Sequence, residues 1–120
     1  MLLRNTKSNN NSVGGDVMIN EVAQLKEALL KSNWPACNKL AEQLYEIGTD
    51  EAKAALIEGL KGKRHHIRTA CIKYLGQIGD SSYVSIIETF LKDSSYETRM
   101  EAKKVLQQMT GKEVLTSRGE

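Results

Sequence analysis

The 120 residues of this chain have the length of one small domain or of a short repeat array. Hydrophobic residues make up 40% and aromatic residues only 5%, and nine glycines with one proline exclude collagen-like and proline-rich disordered classes. The formal net charge of +2 gives no overall electrostatic reason to bind nucleic acid or an anionic membrane, and no apolar run is long enough to span a bilayer.

The first 17 residues are predicted to be disordered. After a short apolar start they are rich in Asn, Ser and Gly, which cannot bury enough surface to offset the entropy of ordering. The residues at 14–17 also match what a purine-rich ribosome-binding sequence would encode in frame before Met18. Two interpretations stay open: residues 1–17 are a flexible tail, or Met18 is the natural start.

From Met18 onwards, apolar residues recur at helical spacing, and the whole pattern recurs with an offset of 31 residues. Gly48 and Gly79 close the first two rows of this pattern. It predicts three repeats, at 18–48, 49–79 and 80–111, followed by a tail at 112–120. The matching columns are Leu25, Leu56 and Ile87; Leu29, Leu60 and Leu91; Leu40, Cys71 and Ala102; Leu44, Leu75 and Leu106; and Ile47, Ile78 and Met109.

Each repeat is predicted to contain two helices. In the second repeat, Thr49 or Asp50 caps a helix that ends near Lys61, and a second helix covers 66–78 before Gly79 stops it. Because one such hairpin cannot cover its own apolar face, successive repeats must stack.

The first repeat contains the only tryptophan and the only proline of the chain, side by side. Pro35 lies near the opening turn of the second helix, where its missing amide costs little. We expect Trp34 to pack against a neighbouring helix.

The segment IRTACIKYLGQIGD at 67–80 resembles the second helix and exit turn of a HEAT repeat of the short bacterial type, as in phycobilisome lyases. The likeness covers 18 to about 111. The resemblance implies an all-α, right-handed α-α superhelix, or solenoid, of three HEAT-like hairpins that binds other proteins. The residues that fit the family pattern are Arg68, Cys71, Leu75 and Gly79-Asp80, and again Arg99, Ala102 and Leu106, whereas Cys37 replaces the arginine in the first repeat.

The resemblance also implies a role for the repeated arginine, which commonly pairs with an acid in the turn before it. Asp93 is the predicted partner of Arg99. In the second repeat Gly62 stands in place of that acid, so Arg68 either pairs elsewhere, for example with the third repeat, or is free for a ligand.

The non-core positions of the second helices are predicted to form a continuous stripe that binds an unidentified partner protein. Tyr74, flanked by polar residues, has the composition of a protein-binding hot spot. The alternative is a solvated helical face. The predicted partner-binding residues are Lys39, Gln43, Glu46, Lys73, Tyr74, Gln77, Glu101, Lys104 and Gln108.

The segment 61–68 concentrates basic residues and supports an alternative function as an anion-binding or nucleic-acid-binding module. Lys63, Arg64, His66 and Arg68 surround a helix start whose free amides favour phosphate, but no aromatic residue lies within the segment to stack on a base. Adjacent residues such as His65 and His66 point about 100° apart on a helix and need further ligands to chelate an ion. We therefore predict no metal and no cofactor.

Sequence features of catalysis are missing. The chain has no phosphate-binding glycine loop, no dinucleotide fingerprint and no His-Asp arrangement beside a cysteine, so we predict that it is not an enzyme. Cys71 belongs to a core column, whereas Cys37 near a helix start is expected to have a more acidic thiol. Two cysteines without a signal segment favour the reducing cytoplasm.

Two further possibilities concern partners. Similarity to the HEAT-like lyases implies a third function, as accessory subunit of a lyase-like enzyme. The last helix is predicted to leave an apolar edge for self-association, unless the tail at 112–120 folds back over it. The residues of this predicted edge are Val105, Met109, Val114 and Leu115.

Overall fold

The computed structural model describes residues 13–111, with side chains from residue 21 onwards. This part of the chain is helical throughout and contains no strand, which confirms the all-α prediction. No helix in it is both long and apolar enough to cross a membrane. The helices are α1 (Val13–Lys31), α2 (Ala36–Ile47), α3 (Asp50–Gly59), α4 (His65–Ile78), α5 (Val84–Glu88) and α6 (Tyr96–Thr110), and short 3-10 helices at Ser81–Tyr83 and Thr89–Lys92 flank α5.

The helices form three stacked hairpins. Helix α4 contacts α2 on one side and α6 on the other, so the second helices of the three hairpins make one layer. Helices α1 and α3 contact each other and the second helices, while α5 packs against α6. This arrangement is the α-α solenoid that the 31-residue pattern predicts.

The apolar columns form the core between the layers. Leu44, Leu75 and Leu106, which occupy equivalent positions in the three repeats, are fully or almost fully buried. Leu56 and Ile87 of the first helices are buried as well. Because each hairpin covers the apolar stripe of its neighbour, removal of these side chains from water stabilises the stack as a whole.

Local sequence signals set most helix ends. The Thr49 hydroxyl accepts a hydrogen bond from the Ala52 amide and caps α3. Gly48 and Gly79 end α2 and α4 at φ angles of +70° and +76°, a left-handed conformation that glycine adopts without steric cost. Helix α3 ends at Gly59, slightly before the predicted end near Lys61.

The first helix of the third repeat is irregular. The Asp80 carboxylate accepts a hydrogen bond from the Ser82 amide and opens a 3-10 turn, after which only residues 84–88 are α-helical. This segment contains the β-branched residues Val84, Ile86 and Ile87, whose restricted side chains lower helix propensity. The Thr89 hydroxyl then donates to the Ile86 carbonyl where the chain returns to 3-10 geometry.

The N-terminal boundary of the fold differs from the prediction. Helix α1 begins at Val13, so residues 13–17 are helical although the sequence predicted disorder up to residue 17. The physical reason is that extending an existing helix adds one hydrogen bond for each residue ordered, which costs less than nucleation. The rest of the predicted disordered segment, and the tail at 112–120, lie outside the described residues.

The predicted apolar edge of the last helix is largely closed where it is described. Val105 is buried, and its methyl groups pack so closely on Gly76 of α4 that a Cβ there would lie 2.7 Å from Val105 Cγ1. Met109 is partly buried against the core. Val114 and Leu115 lie outside the described residues, so self-association through them stays a prediction.

Candidate functional site

The predicted partner-binding residues lie on the second helices, and all but one of them reach the surface. Lys73 and Glu101 are half-buried, and Glu101 forms an ion pair with Lys104 at 3.7 Å. The structure therefore places these side chains along α2, α4 and α6 as expected from their register. The exposed members are Lys39, Gln43, Glu46, Gln77, Lys104 and Gln108.

Tyr74 is the exception, and the prediction that it is an exposed hot spot is wrong. Its side chain is only 6% exposed, because α2 packs across this part of α4. The ring lies 5.5 Å from that of Tyr45, centroid to centroid, at an interplanar angle of 37°. Lys73 Nζ lies 5.2 Å from the Tyr74 ring centroid, a cation–π contact. Tyr74 therefore joins two neighbouring second helices.

Trp34 is a large exposed aromatic side chain, and so is Tyr96 at the start of α6. Trp34 lies in the turn before α2 and is 65% exposed. Its ring nevertheless lies beside a neighbouring helix, as expected, with its centroid 6.4 Å from that of the His66 ring at the start of α4.

A shallow groove runs from Trp34 across the starts of the second helices. The Thr69 hydroxyl in it is held by the His65 carbonyl at 2.8 Å and by Thr98 Oγ1 at 2.9 Å. The groove has a volume of about 60 Å³, far below the roughly 300 Å³ of the smallest common small-molecule sites. It is therefore too small to enclose a small-molecule substrate. The lining residues are Trp34, Asn38, His66, Thr69, Ala70, Lys73 and Glu97.

Two histidines and a glutamate converge at this groove. Glu97 Oε1 lies 3.2 Å from His65 Nε2 and 3.2 Å from His66 Nδ1. Sequence reasoning missed Glu97, although a signal for it existed. Glu97 follows His66 by 31 residues, which is the repeat period, and equivalent positions of stacked repeats are neighbours.

Arg68 is held by the third repeat. Its Nε and Nη2 donate to the two carboxylate oxygens of Asp93 at 2.9 Å each, and its Nη1 donates to the carbonyls of Gly62 and Lys63 at 3.0 Å. Of the two alternatives for Arg68, pairing with the third repeat is therefore confirmed.

Asp93 contacts both repeated arginines of the second and third repeats. Arg99 Nη1 donates to the Asp93 carbonyl at 2.9 Å, and the Asp93 carboxylate pairs with Arg68. Burial raises the pKa of the Asp93 carboxyl, but the hydrogen bonds from Arg68 and the Ser95 amide, with the charge of Arg68, outweigh it. The pKa of Asp93 consequently lies below its ordinary value of 3.8.

The residues predicted to bind an anion do not converge on one point. Arg64 Nη1 donates to the carbonyls of Lys31 and Ser32 at 3.3 and 3.2 Å and so closes the C-terminal end of α1. Arg68 is bound to Asp93, and His66 lies beside Glu97. Of the four residues predicted to bind an anion, only Lys63 is exposed without a contact described above.

The cysteines are core residues. Both side chains are fully buried and neither forms a disulfide. Burial raises the pKa of the Cys37 thiol despite backbone hydrogen bonds that lower it, so the expected acidic thiol at this helix start is wrong. Burial likewise raises the pKa of Cys71 to about 12. Neither thiol is poised as a nucleophile.

Comparison with known proteins agrees with this architecture. The family model for HEAT repeats matches residues 22–107, which includes all three hairpins except the beginning of α1 and the end of α6. No curated protein and no solved structure shows a comparable match. Since the match covers most of the chain and the described residues form a solenoid of helical hairpins, this chain belongs to the HEAT-repeat family.

Proposed function

We propose that this chain is a non-catalytic adaptor that binds a partner protein across the layer of α2, α4 and α6, with Trp34 as the anchor. The single observation that carries the proposal is the 65% exposure of the Trp34 side chain beside a shallow groove. Tryptophan is among the residues most enriched in binding hot spots, which are surrounded by polar residues that exclude water on contact. HEAT repeats commonly act as scaffolds for other proteins.

The stripe next to the groove supplies the rim of the proposed interface. It mixes lysines, glutamates and glutamines, with Lys39 and Glu46 on α2 and Lys104 on α6. Such a mixed polar rim suits contact with another protein. We infer that the partner presents a segment that crosses the starts of the second helices and places an apolar side chain against the indole.

The test compares the native chain with the Trp34→Ala variant. Each chain is immobilised and used to capture binding proteins. The affinity of the recovered partner for each chain is then measured with purified protein. We expect Trp34→Ala to weaken the binding free energy of the partner by about 2 kcal/mol or more, a typical loss at a hot spot. Circular dichroism checks that both chains remain helical.

The Leu30→Ala variant is the matched control. Leu30 is also exposed, at 37%, but it belongs to α1 beside the basic turn at 61–64. Its truncation removes a similar kind of apolar surface at a different place, so we expect the affinity to stay unchanged. Equal affinity of the native chain and the Trp34→Ala variant would disprove the proposal.

The two other functions receive less support from the described residues. An anion-binding module loses Arg64 and Arg68, which are engaged within the fold, and keeps mainly Lys61 and Lys63 around a groove beside Leu30. Absence of binding to random duplex at low salt would exclude it. No contact in the described part favours the role of accessory subunit of a lyase-like enzyme.

A further inference from the structure

The cluster of His65, His66 and Glu97 has a feature that the proposed adaptor function does not require. Three potential ligand atoms from two helices, one from each side chain, lie within 4.8 Å of one another. His65 and His66 are the first two residues of α4, and Glu97 is the second residue of α6. The stacking of the second and third repeats therefore creates the cluster, and no single helix contains it.

The two rings converge because they present different nitrogens. His65 directs its distal Nε2 towards Glu97 Oε1, whereas His66 directs its proximal Nδ1 towards the same oxygen. The ring centroids are 4.0 Å apart. Although the Cα–Cβ bonds of adjacent helical residues diverge, this choice of nitrogens brings both ligand atoms to one place.

The separations fit a small tetrahedral ion. Ligands at about 2.0–2.1 Å from Zn²⁺ in tetrahedral geometry are separated from one another by roughly 3.3 Å. Both nitrogen-to-oxygen distances in the cluster are 3.2 Å, close to that value. The side chains are partly exposed, at 41%, 36% and 56%, so small rotations can bring the two nitrogens to the same spacing.

We propose that His65, His66 and Glu97 form a binding site for a divalent late transition metal ion of the Zn²⁺ class. Two imidazoles and one carboxylate match the preference of such ions for nitrogen with oxygen, whereas Mg²⁺ and Ca²⁺ take oxygen ligands. The exposed side of the site leaves a coordination position for water or for a side chain of another protein. Lys73 lines the same groove and opposes a bound cation, whereas the negative charge of the Asp93 carboxylate is already offset by its pair with Arg68.

The experiment uses the full chain without an affinity tag, since these are its only two histidines. Calorimetric titration with ZnCl₂ measures stoichiometry and affinity, and histidine side-chain NMR signals report which rings respond. We expect one Zn²⁺ per chain, with the signals of both rings shifting and excess Mg²⁺ unable to displace the ion. Absence of saturable binding would overturn the proposal.

Four variants distinguish this site from the alternatives. His66→Ala, which removes a ligand nitrogen, and Glu97→Gln, which removes the negative charge of the carboxylate ligand, should each weaken Zn²⁺ binding by at least about tenfold. Glu88→Gln, which neutralises an exposed carboxylate on α5, should leave binding unchanged. Binding that is unaffected by Glu97→Gln would show only a pair of adjacent histidines and would contradict the proposal. Binding lost in Cys37→Ser would assign the ion to a thiolate and would contradict it equally.

Circular dichroism and thermal unfolding of each variant without metal check that the fold is retained. The inference does not rest on the proposed adaptor function. Partner capture with Trp34→Ala tests that function alone, because the indole is not a metal ligand. The Zn²⁺ titration in turn requires no partner.

Discussion

Two parts of the second-helix layer differ in what they do with their aromatic residues. Around Tyr74, in the body of the layer, the aromatic ring is buried against Tyr45 and joins α4 to α2. At the starts of the helices, Trp34 stands in solvent beside a groove that also contains His66 and Glu97. Helix–helix packing therefore buries the aromatic ring in the middle of the layer, whereas the aromatic side chain at the helix starts stays exposed.

The largest expected effect is a difference in stability between the alanine variants of these two aromatic residues. Tyr74→Ala should lower the free energy of unfolding by about 3 kcal/mol or more, because it leaves a cavity between α2 and α4. Trp34→Ala should lower it by no more than about 0.5 kcal/mol, because most of the indole is already in water. Urea unfolding of both variants measures the difference. Similar losses of unfolding free energy for the two variants would contradict the contrast between the buried Tyr74 and the exposed Trp34.

The second effect concerns the ion pair between Arg68 of α4 and Asp93 of the third repeat. Arg68→Ala should cost about 2–3 kcal/mol of unfolding free energy, because it leaves the Asp93 carboxylate nearly buried without its partner. Arg64→Ala is the matched control, since Arg64 lies immediately before α4. Its hydrogen bonds to α1 are exposed, so its loss should cost less than about 1 kcal/mol. Thermal unfolding compares them, and equal destabilisation would show that the Arg68–Asp93 pair contributes little.

The smallest effect is a dependence on pH. Because the folded chain holds the Asp93 pKa below 3.8, the unfolded chain binds the proton more readily. The stabilisation by Asp93 is complete above the unfolded pKa and is lost as the pH falls through the lower pKa of the folded state. Unfolding free energies measured between about pH 5 and about pH 3 should therefore fall less steeply for Asp93→Asn than for the native chain. Identical slopes would contradict this assignment.

The repeat architecture was predictable because it depends on a pattern spread over the whole chain. Apolar residues at a fixed offset require stacked hairpins, and the columns that include Leu44, Leu75 and Leu106 are indeed buried. Helix ends followed from short-range chemistry, as with the Thr49 cap and the left-handed Gly79. Such signals act within a few residues and need no tertiary information.

The site was harder to predict because exposure depends on how far neighbouring helices reach. Tyr74 occupies a non-core register position, yet α2 covers it. The sequence showed that Arg68 lacked its usual acid but left its partner open, and only the stacked repeats identify Asp93. The cluster with Glu97 follows from the same stacking, which turns a separation of 31 residues into contact at 3.2 Å.

The amino-acid sequence alone was enough to predict a stack of helical hairpins. The repeat period, the helix caps and the glycine turns depend on the order of residues along the chain and not on contacts between repeats. The tertiary structure decided which side chains remain available. Distances between repeats decide whether a side chain is covered, as Tyr74 is, or exposed, as Trp34 is. They also bring together His65, His66 and Glu97. Those distances are set by the packing of whole helices, where close contacts such as that of Val105 on Gly76 fix the spacing.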